Sequence, residues 1–314
     1  MSGTIITVRG PLPVEDMGIT LPHEHVMVDF IGADKADCHR YDRREVVAAM
    51  LPRLREIREQ GVGTFVDCTP MYLARDPLVL RELSEKSELN ILTNTGQYKE
   101  PYLPKETLLI PAEQLAEQWI REFNEGIGAT GIRPGFIKTA MPPGPMSSLQ
   151  RKIIEAAAVT SRATGMVIAT HIEDSSPIPE ILAVLENNGL QADRWILVHA
   201  QQIQEKEELF RLGRLGIWIE LDGIAPDSAE WNREMLLGLM EAGFVDRLLL
   251  SHDAGWYNVG AEGGGKQVPY TFLLEHFLPM LRQTGVGEDT LWKLIVDNPA
   301  GAFALGGTGE FHEE

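Results

Sequence analysis

Short apolar runs of β character alternate along the chain with longer stretches of helical period. Eight such runs stand out: "PHEHVMVDF", "GTFVDCTP", "ILTNTGQY", "PGFIKTA", "GMVIATHIED", "WILVHAQQI", "GIWIELDGI" and "RLLLSHDAG". They are nearly continuous in apolar residues rather than alternating, the pattern of strands covered on both faces, as in a parallel sheet. Between them, "RREVVAAMLPRLREIREQG" places Val46, Val47, Met50, Leu54 and Ile57 on one helical face, with Pro52 as a kink point and Gly61 as a stop. "PAEQLAEQWIREFNEG" and "SSLQRKIIEAAAVTSRATG" behave alike, each ending in glycine, and the second opens on a serine cap. Eight strands, each followed by a helix, in one domain spanning residues 1–314 predict a (β/α)8 TIM barrel. A doubly wound open sheet is the competitor, but no glycine fingerprint of a phosphate loop accompanies the strands. Residues 1–20 precede the first barrel strand and are expected to form a small hairpin closing the barrel floor.

Polar residues punctuate the ends of these runs: His23 and His25, Tyr98, Lys138, His171, His199, Asp222, then His252 and Asp253. Singly, a strand-end histidine is more often a hydrogen-bonded structural group, a lysine snorkels to solvent and an aspartate caps a helix. Those readings do not explain why so many recur at one end of successive strands. In a barrel those ends share one mouth, where active sites form. His23 and His25, two apart on a strand, point to the same side and can share an ion. Glu24 then faces the opposite side and is structural. His171 and His199 can hold a second ion, and Asp253 adds a carboxylate. Imidazole and carboxylate suit zinc first, with manganese, cobalt or iron also admitted. Lys138 fits between two cations only as a carbamate, N6-carboxylysine, which is anionic and bidentate.

Composition narrows the class. Of 314 residues, 44% are apolar, enough for a substantial core, and 28 basic against 46 acidic residues leave a net charge of −18. Such a chain repels nucleic acid and anionic membranes. No run approaches the about 18 apolar residues of a membrane span. The two cysteines, Cys38 and Cys68, make no disulfide framework, and the start of the chain lacks a signal-peptide pattern. The expected compartment is therefore reducing and cytoplasmic.

"LPHEH", "GFIKTA", "ATHIED", "LVHAQQ", "LLLSHDAGW" and the late "VDNPAGAFAL" together resemble the phosphotriesterase family of the amidohydrolase superfamily, in order and along almost the whole chain. The resemblance implies a binuclear metallohydrolase. His23, His25 and Asp253 would hold the more buried ion and His171 and His199 the more exposed one. Carboxylated Lys138 and a hydroxide would bridge them, with Asp253 taking the proton. It also implies a homodimer. The chain departs from the family's pattern in two places. Gly223 stands where phosphotriesterases carry a histidine and many lactonases an arginine, and Gln202 stands where an acidic residue is usual. Tyr98 falls where lactonase-like members place a tyrosine near the hydroxide. The glycine-rich stretch "AGWYNVGAEGGGKQVPY" reads as a mobile lid, with Trp256 and Tyr257 lining a substrate pocket.

The leading expectation is hydrolysis of a lactone or other carboxylic ester, with organophosphate triesters as side substrates. The alternatives are a dedicated phosphotriesterase, a one-metal deaminase of the same superfamily, and a low-turnover homologue that only binds a small molecule.

Overall fold

A computed structural model describes residues 3–306; the outermost ends of the expected domain, 1–2 and 307–314, lie outside it. Strands β1 (Thr4–Thr7) and β2 (Gly10–Pro13) pair as an antiparallel hairpin. The barrel strands follow: β3 (Ile19–Val28), β4 (Val62–Asp67), β5 (Asn90–Leu92) with its continuation β6 (Asn94–Thr95), β7 (Phe136–Ala140), β8 (Ile168–His171), β9 (Trp195–Val198), β10 (Trp218–Leu221) and β11 (Leu248–Leu250). Every pairing among them is parallel. The ring closes where Asp253 N donates to His23 O at 3.1 Å and His25 N to Ala254 O at 2.9 Å. This is a (β/α)8 barrel, and all eight apolar runs supply its strands.

The continuous apolar runs make sense once each strand is divided by parity. Val66, Leu92, Phe136, Ala169, Ile196, Val198, Trp218 and Leu249 point inward and pack with Ile5, Val14 and Met17 from the hairpin region, which fill the floor. Their immediate neighbours Phe65, Ile91, Ile137, Ile168, Leu197, Ile219, Leu248 and Leu250 point outward into the layer under the helices. The inward parity that begins with Phe136 leads to Lys138. From Trp218 it leads to Glu220 and Asp222, and from Ala169 to His171. Polar side chains thus enter the interior at the top of a barrel whose lower layers are apolar.

Helices α1 (Arg43–Glu59), α2 (Pro77–Ser87), α3 (Lys105–Leu109), α4 (Ala112–Glu125), α5 (Ser148–Thr164), α6 (Ile178–Asn187), α7 (Lys206–Leu215) and α8 (Ala229–Glu241) cover the outside. Helix α1 runs through Pro52 without a break, and Ser147 caps α5 by accepting from Gln150 N. No helix among the described residues is long and apolar enough to cross a membrane.

One expectation fails. The glycine-rich stretch after Asp253 is not a free lid. Its first part is strand β12 (Gly255–Asn258), laid parallel on β3 with Gly255 opposite His25. Gly255 and Val268 exchange both backbone bonds, at 3.1 and 2.8 Å, and Val259 N donates to Val28 O at 2.9 Å. Glycine is required at 255, because a Cβ there would lie 2.0 Å from both His25 O and Tyr270 Oη, at φ +97°. At Gly255 the glycine reflects close backbone approach, and at Gly264 the nearby Tyr257 ring.

Candidate metal centre

Four imidazoles, a lysine and a carboxylate meet at the barrel mouth. His25 Nε2 lies 3.0 Å from Asp253 Oδ1, and His23 Nε2 lies 3.8 Å from the same oxygen. Lys138 Nζ is 3.4 Å from His23 Nε2. On the other side, His199 Nε2 is 2.7 Å from His171 Nδ1. The His23 and His199 rings sit 5.2 Å apart, joining the two halves.

Each ring is oriented from behind. His25 Nδ1 meets Thr69 Oγ1 at 2.8 Å, and that hydroxyl already donates to Met27 O at 2.9 Å. It therefore accepts, and His25 carries its proton on Nδ1. His23 Nδ1 faces Glu220 Oε2 at 2.9 Å and Asp222 Oδ2 at 3.1 Å. His199 Nδ1 faces Asp222 Oδ1 at 2.6 Å. His171 Nε2 faces Glu173 Oε1 at 3.3 Å and Lys99 Nζ at 3.2 Å, while Tyr98 Oη lies 2.9 Å from His171 Nδ1. These tautomers are assigned from the hydrogen-bond network. They leave a lone pair on His23 Nε2, His25 Nε2, His171 Nδ1 and His199 Nε2, all turned inward.

That arrangement answers whether the residues fit metal ions. Asp253 Oδ1 is buried and finds no hydrogen-bond donor among the described residues, although an imidazole nitrogen lies 3.0 Å away. The His171–His199 pair likewise opposes two lone pairs. A shared proton would make one of them an imidazolium. Burial, followed by the charges of His199, Lys99 and Lys138, pushes His171 well below the usual histidine range. Burial first and the Lys138 ammonium second lower His23 to about 4. Burial would raise the Asp253 carboxyl, but His25, His23 and His199 overcome it and hold it at about 2. Neutral imidazoles and an ionised carboxylate with converging lone pairs are what a divalent ion needs; two ligands about 2.1 Å from one tetrahedral ion stand roughly 3.4 Å apart. His23, His25 and Asp253 form one such group.

His23, His199 and Asp222 also lie close enough to be grouped as ligands. There, however, the facing atoms are the Nδ1 nitrogens at hydrogen-bond distance, with a proton on each line. Asp222 is an orienting hub, the carboxylate behind two candidate ligand histidines. His23 and His199 hold it well below the usual carboxylate range against the opposing effect of burial. Burial, followed by the Asp222 charge, pushes neighbouring Glu220 well above that range. His252, beside Asp253 in sequence, takes no part in the cluster. Its Nδ1 bonds Glu24 Oε1 at 2.6 Å and its Nε2 accepts from Leu273 N at 2.8 Å. Glu24 also takes Ser251 Oγ and Ala254 N, and so fastens β3 to the turn that carries Asp253.

Above the cluster opens a cavity of about 270 Å³, with Phe30, Leu73, Tyr98, Tyr102 and Trp256 among its walls. The Trp256 ring stands edge-on over His25 at 5.8 Å and tilted to Phe30 at 5.9 Å. His199, Asp253 and Trp256 all hold left-handed backbone, at φ +62°, +56° and +69°. Such conformations are costly for non-glycine residues and cluster where function over-determines them.

The profile of the phosphotriesterase family matches residues 3–303. The chain belongs to this family. The Escherichia coli K12 phosphotriesterase homology protein is 26% identical over 291 residues, covering 91% of this chain and 98% of the relative. The Saccharolobus solfataricus aryldialkylphosphatase is 26% identical over 301 residues, covering 92% and 96%. The human N-acetyltaurine hydrolase is 25% identical over 345 residues, covering 95% and 97%.

Within this phosphotriesterase-family site, His23, His25, Lys138, His171, His199, Asp253, Tyr98 and Trp256 converge on the cavity. Tyr257 does not. Adjacent to Trp256 on a strand, it points to the other face, where it is buried and packs against Gly264. The pattern of strand ends also missed Thr69, Glu220, Lys99, Glu173 and Phe30. Glu220 was findable: a glutamate inside "WIEL", two before Asp222, shares the inward parity of that aspartate. Thr69 carried no signal, because its role exists only opposite His25.

Proposed function

We propose that this chain is a binuclear metal-dependent hydrolase that cleaves a lactone or another carboxylic ester with an apolar acyl part. The observation that carries the proposal is the convergence of lone pairs from His23, His25, His171, His199 and Asp253 beneath an aromatic wall. His23, His25 and Asp253 would hold one ion and His171 and His199 the other. Lys138 would join them after its Nζ adds carbon dioxide and loses a proton, becoming an anionic bridge. Bound there, the ions supply a hydroxide near neutral pH and a Lewis acid for the scissile oxygen. Zinc suits these donors best, and manganese, cobalt and iron remain compatible.

The protein's own groups do the rest. Asp253, ionised at neutral pH, accepts the proton of the nucleophile. Burial pushes the Tyr98 hydroxyl up, so it remains a donor and can bond the oxygen that gains charge. Trp256, Phe30 and Leu73 exclude water and receive the apolar part of the substrate. Aryl triesters would fit the same wall as side substrates. A second reading is a small N-acyl amide bearing an anionic group. Lys99 favours it, since its ammonium lines the cavity, although Glu173 already pairs with it.

The test is kcat/KM across lactones, aryl esters, paraoxon-type triesters and N-acetyltaurine. Esters or lactones should lead by at least about tenfold. A triester lead would make the chain a dedicated phosphotriesterase, and an amide lead would install the second reading. Binding without turnover on all four would make it a binding homologue. Lys138→Ala should lower both metal content and activity; full occupancy by two ions in that variant contradicts the bridge.

A further inference from the structure

We infer that Gln201 is a positioning residue of the metal centre, and that position 223 is glycine because the Gln201 amide fills the space a side chain there would need. Gln201 Nε2 donates to Asp222 Oδ1 at 2.7 Å, and Asp222 N donates back to Gln201 Oε1 at 3.3 Å. These two opposed bonds close a ring between one side chain and the backbone and carboxylate of the other residue. Asp222 is fully buried. Its Oδ1 also accepts from His199 Nδ1 at 2.6 Å, its Oδ2 accepts from His199 N at 2.9 Å, and Oδ2 faces His23 Nδ1 at 3.1 Å. One carboxylate therefore sets the rotation of a histidine in each half of the cluster, and Gln201 sets the carboxylate.

The glycine follows from the same geometry. A Cβ at 223 would stand 2.7 Å from Gln201 Nε2 and 3.4 Å from its Cδ. Gly223 does not have a left-handed φ, so space and not backbone freedom selects it. Nor can its backbone retreat: Asn232 Nδ2 donates to Gly223 O at 3.1 Å, and Ser228 Oγ bonds the same oxygen. Gln201 is tethered too, with its carbonyl accepting from Trp231 Nε1 at 3.3 Å. A side chain at 223 thus requires the Gln201 amide to shift from the position in which it closes the ring with Asp222. This chain uses the space at 223 to hold Asp222.

The inference rests on reading the cluster as a metal centre, and the experiment separates the two. Gln201→Ala, Gly223→Ala and the double variant are titrated with Co²⁺ alone, following affinity and the visible absorption spectrum; the metal-free forms are melted. Gln201→Ala should weaken Co²⁺ binding by about tenfold or more and alter the spectrum, as losing an orienting partner does. Gly223→Ala should reproduce both effects, because the methyl displaces the amide. The double variant should be no worse than Gln201→Ala, and in the metal-free melts removing Gln201 should relieve the loss caused by Gly223→Ala. Gln201→Glu, which keeps the bulk but loses the Nε2 donor, should not rescue. Parental affinity and spectrum in Gly223→Ala, or additive losses, overturn the inference. A parent chain that binds no Co²⁺ overturns the metal reading and the positioning role with it; the metal-free melts still decide whether Gln201 excludes a side chain at 223.

Discussion

Thr69 touches no substrate, yet it decides which nitrogen of His25 faces Asp253. Its oxygen donates to Met27 O and accepts from His25 Nδ1. Thr69→Val keeps the shape and removes the acceptor. The His25 tautomer is then unfixed, or a buried N–H goes unpaired at a cost of about 1–3 kcal/mol. Metal affinity should fall by about 10–100-fold, and Thr69→Ser should restore it; equal affinity in the valine variant would deny the role. His23 carries a pH signature in the metal-free protein. Its value of about 4 lies below the ordinary histidine value of 6.5, so between those pH values the unfolded chain binds more protons. Stability from this group is present above pH 6.5 and lost as the pH falls towards 4, about 3 kcal/mol in all. Asp67, raised to about 6 by burial, works in the opposite direction between about 6 and 3.8. Whole-protein melts therefore mix the two, and the clean measurement is an NMR titration of the His23 ring. A midpoint near 6.5 would contradict the burial argument.

The elements were legible where both layers of the barrel are apolar. Strands such as Trp195–Val198 put alternate residues into two hydrophobic layers, so they announce themselves as continuous runs. Strand β12 did not, because "GWYN" sits in a glycine-rich stretch and its place on β3 depends on a contact of Gly255 with His25 and Tyr270. The same blindness misassigned Tyr257: without knowing that 255–258 is a strand, nothing says that Trp256 and Tyr257 face opposite ways. Metal-type residues at strand ends could be read as a recurring set, and Glu220 by its parity with Asp222, whereas Thr69 and Gln201 acquire meaning only across the ring. Gly255→Ala tests the strand directly. The added methyl meets two oxygens at 2.0 Å in a conformation that alanine disfavours. It should destabilise the protein by about 2 kcal/mol or more, lower kcat/KM through Trp256, and leave far-UV circular dichroism nearly unchanged. An unperturbed denaturation midpoint would mean that β12 is not anchored as described.

At the scale of the molecule, the candidate ligands come from strands on opposite sides of the ring, since β3 with the turn after β11 faces β7, β8 and β9. Without a cation, Asp253 Oδ1 stays unpartnered and two histidine nitrogens present lone pairs to each other. The mouth of the metal-free barrel is therefore frustrated, and a divalent ion held by the proposed ligands would relieve this while tying distant strands together. Because the site exists only in the folded ring, binding free energy adds to folding stability. At free metal about 100-fold above Kd each ion contributes about 2.7 kcal/mol, and two contribute twice that. Chelation should lower the melting temperature by about 8 °C for a domain of this size. Zn²⁺ with bicarbonate should restore both melting temperature and activity. Zn²⁺ in carbon dioxide-free buffer should restore only part of each, since Lys138 then remains a cation 3.4 Å from His23 Nε2 and repels the second ion. Full recovery without bicarbonate would remove the carbamate from the mechanism while leaving the histidine ligands in place. No change on chelation of demonstrably metal-loaded protein would remove the ions from the stability of the ring.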